Sequence, residues 1–267
     1  MLYLFVILLM SVGIYWSIFW LFQNRFLFPT HKVQDYSVDV AQLELPKQTD
    51  VIHLEHSFGH TEIHFVRCSN QPAPTVLVAH GQVGLIDSWH ARMQGLLEQG
   101  YHYCLVEFPG YGRSEGKANE RTLSEVFVAA YDYLVQRDDV DATQMIGLGR
   151  SMGGGVISLL ATQRSLQCLW LLSTFTSVRP FFARRGIPGF LLHSPLDNRK
   201  RLRQLQLPTL LVHGYADNVI PVQHARDLAA VNPRIELVLE NGDHDTTPQD
   251  WDEYWSMACH FHRQLSV

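Results

Sequence analysis

The chain opens on 21 uncharged and mostly apolar positions, Leu2 to Phe22. At ~1.5 Å per residue a helix of that length covers the ~30 Å hydrocarbon core of a bilayer. Tyr15, Trp16 and Trp20 fall towards its end, where amphipathic rings favour the membrane interface. A cleavable signal peptide is the competing reading, but it calls for a basic start, a shorter apolar core and a small-residue cleavage site, and the stretch offers none of these. The expectation is an uncleaved single-pass membrane anchor over residues 1–22 and a linker over residues 23–50. Arg25 and Lys32 follow the span while only the chain amine precedes it, which favours a cytoplasmic C-terminal domain.

Beyond the linker the period of the pattern changes. Val51–His56 and Glu62–Cys68 flank a turn at Gly59 and read as an antiparallel hairpin. From Pro74 apolar runs recur at Thr75–Ala79, Tyr101–Glu107, Met145–Leu148, Leu169–Ser173, Thr209–His213 and Ile235–Leu239. Helical stretches starting near Ser88, Thr122, Met152, Val222 and Gln249 separate them. Such alternation predicts one α/β domain over residues 51–267: a mostly parallel sheet with helices on both faces and the hairpin at its N-terminal side. In that architecture functional residues collect beyond the carboxyl ends of the strands.

The stretch Ser177–Gln206 interrupts the alternation. Pro180, Pro188 and Pro195, with Gly186 and Gly189, forbid one continuous helix and predict a short lid over residues 177–206. Its seven cations (Arg179, Arg184, Arg185, Arg199, Lys200, Arg201, Arg203) face Asp197 alone. The local charge is +6, which leaves −11 on the rest of a chain whose net charge is −5. With Phe181, Phe182 and Phe190 beside them, two readings stand: a surface that lies on anionic lipid, or a solvated lid whose apolar residues cover a pocket.

Composition narrows the partners. A net charge of −5 and a pI near 6.2 exclude a general nucleic-acid binder, which needs a basic excess to neutralise phosphates. Cys68, Cys104, Cys168 and Cys259 are widely spaced with no C-x-x-C pair, so they are read as reduced and structural. His53, His56, His60 and His64 crowd the hairpin. A metal site is conceivable there, but alternating histidines on an exposed edge, without acidic or thiol co-ligands, are the plainer reading, and no metal is assigned.

Candidate chemistry centres on Met145–Gly155, where an apolar strand end meets Gly149-Arg150-Ser151-Met152-Gly153 and then a helical run. A serine on so tight a turn needs small residues two before and two after it, and Gly149 and Gly153 supply them. The turn lifts the Ser151 hydroxyl clear of the sheet and aims a helix N-terminus at charge forming there. A serine hydroxyl becomes a good nucleophile only when a base takes its proton and a carboxylate holds that base. Asp217, just after Thr209–Gly214, is the candidate acid, and His244, in Asn241-Gly242-Asp243-His244-Asp245, the candidate base. Asp243 and Asp245 are alternative acids, set aside because sequence neighbours seldom reach the ring nitrogen. An oxyanion also needs amide donors, and the backbone N–H groups of Gln82, in the glycine-flanked loop after Ala79, and of Met152 are the candidates.

His80-Gly81, Gly110–Ser114, Gly149–Gly154, Pro208–Gly214 with Asp217, and Gly242-Asp243-His244 together resemble the α/β-hydrolase superfamily. Within it the resemblance is to membrane-anchored α/β-hydrolase-domain proteins and to serine aminopeptidase-like and monoglyceride-lipase-like hydrolases. It covers about Val51 to the C-terminus. It implies serine hydrolysis of esters, thioesters or amides through a Ser151, Asp217, His244 triad, with neither a metal nor an organic cofactor. The chain departs from that pattern at Asp245, where relatives often carry a small or amide residue, and in a lid shorter than that of many lipases. The expected activity is cleavage of acyl esters or thioesters through an acyl-serine intermediate by a membrane-anchored enzyme, with the small-molecule substrate and membrane lipid as partners and no nucleic acid. The rivals are a serine peptidase or amidase, which needs an anchor for a free amine, and a non-catalytic binding protein that retains the fold.

Overall fold

The computed structural model describes residues 1–33 and 44–265. Eight strands form one sheet: β1 (Thr49–His56), β2 (Gly59–Val66), β3 (Ala73–Ala79), β4 (His102–Val106), β5 (Val140–Arg150), β6 (Cys168–Leu172), β7 (Thr209–Gly214) and β8 (Ile235–Glu240), in the order β1-β2-β4-β3-β5-β6-β7-β8. β2 runs antiparallel to both β1 and β4, and every other pairing is parallel. The expected hairpin and six parallel strands are all present.

The reason lies in the side chains of the central strands. In β3, Val76 and Val78 enter one apolar layer and Leu77 and Ala79 the other, so both faces of the strand are apolar and both demand cover. α3 (Glu120–Leu134), α4 (Met152–Leu160), α6 (Asn198–Leu205) and α7 (Gln223–Ala229) cover the first face. The 3₁₀ turn at residues 86–93, α2 (Gln94–Glu98) and α8 (Trp251–Gln264) cover the second. Trp89, Trp170 and Trp255 are fully buried in that second layer, each removing a large apolar surface from water at about 25 cal/mol per Å². The starts of α3, α6 and α8 carry side-chain caps. Asn119 accepts from the Arg121 and Thr122 amides, and the Asn119 amide donates in return to the Thr122 hydroxyl. Asp250 caps α8 in the same way, through the Asp252 and Glu253 amides.

Three expectations need correction. The apolar N-terminal run is helical to Leu27, five residues past the expected end (α1, Leu2–Leu27). Nothing in Gln23-Asn24-Arg25 breaks a helix, and the break comes where Phe28, outside the helical region at φ −129° and ψ 80°, precedes Pro29. The first part of the expected linker is therefore helix, a 3₁₀ turn at Thr30–Lys32 follows, and residues 34–43 lie outside the described residues. The expected lid divides. α5 (Arg179–Ala183) and the 3₁₀ turn Gly189–Leu191 form the cover, whereas α6 belongs to the helical layer: Leu202 is buried and the Arg201 guanidinium donates to the Gly155 carbonyl. The hairpin is not an exposed edge on its β2 side either, because β2 lies between β1 and β4 and His64 is fully buried.

Candidate active site

The carboxyl ends of β3, β5 and β7 and the loop after β8 meet at one rim, and there the three candidate side chains converge. Ser151 follows β5 with φ 53° and ψ −114°, a conformation rare for a residue with a Cβ. Its amide donates to the Leu172 carbonyl at 2.8 Å and its carbonyl accepts from the Thr174 hydroxyl at 2.8 Å, so the strained turn is held at both ends. Gly149 faces the Gly153 backbone and Gly153 faces the Ala79 and His80 carbonyls, leaving no room for a side chain on either.

His244 joins Ser151 to Asp217. Its Nε2 lies 3.1 Å from Ser151 Oγ and its Nδ1 lies 2.8 Å from Asp217 Oδ2. Asp217 Oδ1 accepts from the Val219 and Ile220 amides at 3.0 and 2.7 Å. Burial pushes the Asp217 carboxyl up, but the bonds from His244 and Ile220, with the charges of the neighbouring rings, outweigh it and hold the group below the usual carboxylate range. The two neighbouring acids do other work. Asp243 Oδ1 accepts from the Asp245 and Thr246 amides and the Thr246 hydroxyl, which shapes the loop that presents the imidazole. Asp245 points to solvent, 3.4 Å from Arg150, whose guanidinium also donates to the His244 carbonyl.

Ser151, Met152 and Gln82 line one cavity of about 650 Å³, a size that suits a small organic ligand. Its other walls are mostly apolar, from the lid (Val178, Phe181, Phe182, Ile187) and from α1. The loop carrying Gln82 is braced from behind. Tyr111 Oη donates to the Gln82 carbonyl at 2.9 Å, and the His80 ring stacks on Phe108 at 3.8 Å with its Nε2 2.7 Å from Glu107.

Several residues at or near this site went unread in the sequence. His213 is buried behind Asp217, with Nε2 2.8 Å from the Ile220 carbonyl and 3.4 Å from Asp217 Oδ2. Burial pushes its basicity down, which keeps a second positive charge away from the His244 ring. The α1 residues that line the cavity carried no signal beyond their apolarity. On the hairpin, the co-ligand thought missing is present: Glu62, His64 and Asp87 hold ligand atoms within 4.8 Å of one another. The Arg113 guanidinium donates to both carboxylates, so the cation in this cluster belongs to the protein itself.

The sheet, its crossovers and the position of the serine turn define an α/β-hydrolase fold. A family model described as alpha/beta hydrolase fold matches residues 74–191. An uncharacterized protein of Salmonella typhi, YfhR, is 29% identical over 238 residues, which is 83% of this chain and 80% of that one. The lysophosphatidylserine lipase ABHD12 of Danio rerio is 29% identical over 184 residues, which is 59% of this chain and 47% of the lipase. A solved structure, the Pyrococcus furiosus esterase Pf2001, superposes with a TM-score of 0.66 at 16% identity, covering 85% of this chain and 94% of that one. The chain has the α/β-hydrolase fold, and over residues 74–191 it is similar to that family's model.

Proposed function

We propose that this protein is a membrane-anchored serine hydrolase that cleaves acyl esters or thioesters. The observation that carries the reading is the hydrogen-bonded relay Ser151–His244–Asp217 at the wall of an apolar cavity. His244 takes the proton of the Ser151 hydroxyl as Oγ bonds to the acyl carbon, and the carbonyl electron pair moves onto oxygen. The Gln82 and Met152 amides receive that oxyanion. When the tetrahedral adduct collapses, the bond to the leaving alcohol or thiol breaks, and His244 gives that group its proton. Water, deprotonated by the same imidazole, then releases the acid from the acyl-Ser151 ester. Asp217 holds the ring in the tautomer that leaves Nε2 free and stabilises the imidazolium.

An ester or thioester fits better than a peptide. The described residues that line the cavity include no carboxylate to anchor a free amine, and the apolar walls suit an acyl chain. Anchoring rests on α1, which contains an 18-residue window of mean hydropathy 2.2 and is mostly exposed. A cleaved leader would leave the cavity without one wall, which supports retention of the helix. Arg25 and Lys32 at its domain end favour a cytoplasmic enzyme.

A fluorophosphonate probe should label the wild type and not Ser151→Ala, which separates an enzyme from a binding protein. Equal labelling of the two would remove Ser151 as nucleophile. A panel of p-nitrophenyl esters set against aminoacyl-nitroanilides should be turned over on the ester side. Preference for the anilides would make the chain a peptidase.

A further inference from the structure

The second half of α1 is fastened to the domain. Tyr15 Oη donates to the Arg185 carbonyl and Trp16 Nε1 to the Gly186 carbonyl, each at 3.0 Å. Gln23, 1% exposed, donates through Nε2 to the Leu191 carbonyl at 2.9 Å and accepts the His193 amide at 2.7 Å. The Phe19 ring sits 5.0 Å from that of Phe182. At the end of the helix the Gln82 side-chain amide donates to the Phe26 and Leu27 carbonyls at 3.0 and 2.8 Å. One helix therefore closes the cavity, through Ile18, Phe19 and Phe26, and braces the loop of the oxyanion candidate.

This attachment fixes how deep the domain can ride. A ~30 Å hydrocarbon core takes ~20 helical residues. Within the described helix, Leu2 to Ile14 precede the Tyr15 hydrogen bond to the lid, and those 13 residues cover about 20 Å. The remaining third of the span falls on Tyr15 and the residues after it, which carry the lid. A helix that crosses the bilayer must take the lid into one leaflet with it. The lid surface suits that place. Phe190 is 81% exposed at its tip. Arg184 and Arg185 are exposed on the same cover and Arg199, Lys200 and Arg203 are exposed on α6, while Arg179 and Arg201 are paired with Asp197 and Glu120. Exposed aromatic and long basic side chains together are the composition of a surface that sits in the headgroup region.

We propose that the domain rides part-sunk in one leaflet, with the cavity between α1 and the lid opening into the acyl region. The substrate is then a bilayer-resident acyl lipid whose chain reaches Ser151 along α1 without crossing water. This rests on reading α1 as a membrane span and Ser151 as the hydrolytic centre.

Depth is tested without activity. A nitroxide is placed at Phe190→Cys in a Cys68→Ser background, with Thr143→Cys as control. Thr143 is exposed near the amino end of β5, seven positions before Arg150, or about 23 Å from the serine rim at strand rise. In vesicles of phosphatidylcholine and phosphatidylglycerol, the label at 190 should be relaxed by oxygen and shielded from an aqueous nickel chelate, and the label at 143 the reverse. Equal access of the chelate to both overturns the sunken lid, whatever Ser151 does. The path is tested by Phe19→Trp and Phe182→Trp, which narrow the groove. The ratio of turnover on p-nitrophenyl palmitate in vesicles to that on aqueous p-nitrophenyl acetate should fall at least tenfold. An unchanged ratio removes α1 from the chain path. A wild type inactive on both esters would instead remove the serine hydrolase reading, with the nitroxide depth still standing as measured.

Discussion

Asp217 holds His244 through Oδ2 at 2.8 Å while the Val219 and Ile220 amides occupy its Oδ1. The carboxylate is thus locked on two sides and can present only one oxygen to the ring. Asp217→Asn keeps the shape but offers His244 the wrong tautomer, so kcat on p-nitrophenyl butyrate should fall by about 10⁴. Asp245 is a solvent-exposed partner of Arg150, and Asp245→Asn should change kcat by less than about fivefold. The reverse order in a side-by-side kinetic comparison would move the acid into the loop.

The serine turn makes a second demand. A Cβ on Gly153 would press into the Ala79 carbonyl and lie 2.6 Å from the His80 carbonyl oxygen. Both are backbone atoms of the β3 end, so neither can swing aside. Gly153→Ala should destabilise the fold by at least about 2 kcal/mol in urea unfolding and lower kcat more than tenfold, because the helix start that carries Met152 is displaced. A variant as stable and active as the wild type would show that strand and helix have room to separate.

These two sites explain why the rim was legible and its surroundings were not. Gly149, Ser151 and Gly153 sit within five residues, and Asp217 and His244 each follow an apolar strand directly, so local chemistry and strand order together place them. Gln23 and Tyr15 are different. Apolar helix faces that meet lipid and those that meet protein look alike in sequence, since lipid tails are as apolar as leucine. Only the amide of Gln23, one helical turn after Phe19, hinted at a docked face. His64 was misplaced and Glu62 went unread for a topological reason. Alternation gives the face of a strand but not its neighbour, and β2 pairs with β4, so Glu62 faces Arg113 and His64, read as lying on an exposed edge, faces His90.

That buried cluster yields a third expectation. Arg113 donates to Glu62 and Asp87, with Glu62 1% exposed. Arg113→Met strands two carboxylates without their cation and should cost about 3–5 kcal/mol, read as a lower urea midpoint in detergent micelles. The double variant Arg113→Met with Glu62→Gln should recover part of the loss. A single variant with wild-type stability would mean that the carboxylates find water or another donor.

The same cluster sets the response to acid. Burial, with the neighbouring His64 charge, lowers His90 to about 4 from an ordinary value of 6.5. Burial raises Glu62, but the bonds from His64 and Arg113 outweigh it and bring the group down to about 2 from 4.5. In both cases the unfolded chain binds the proton first, so stability rises with pH across each window. The contribution of His90 is complete above pH 6.5 and is lost as pH falls towards about 4, and burial of His262, also lowered to about 4, adds to the same window. The contribution of Glu62 is complete above pH 4.5 and is lost on the way down to about 2. Urea unfolding at successive pH values from 8 to 3 should therefore show a decline that begins just below pH 6.5 and is carried by histidine before any carboxylate. His90→Phe should flatten the upper part of that decline and leave the lower part, while Glu62→Gln should do the opposite. Stability that holds level from pH 7 to 5, or that grows on acidification, would mean that His90 is already protonated in the folded protein.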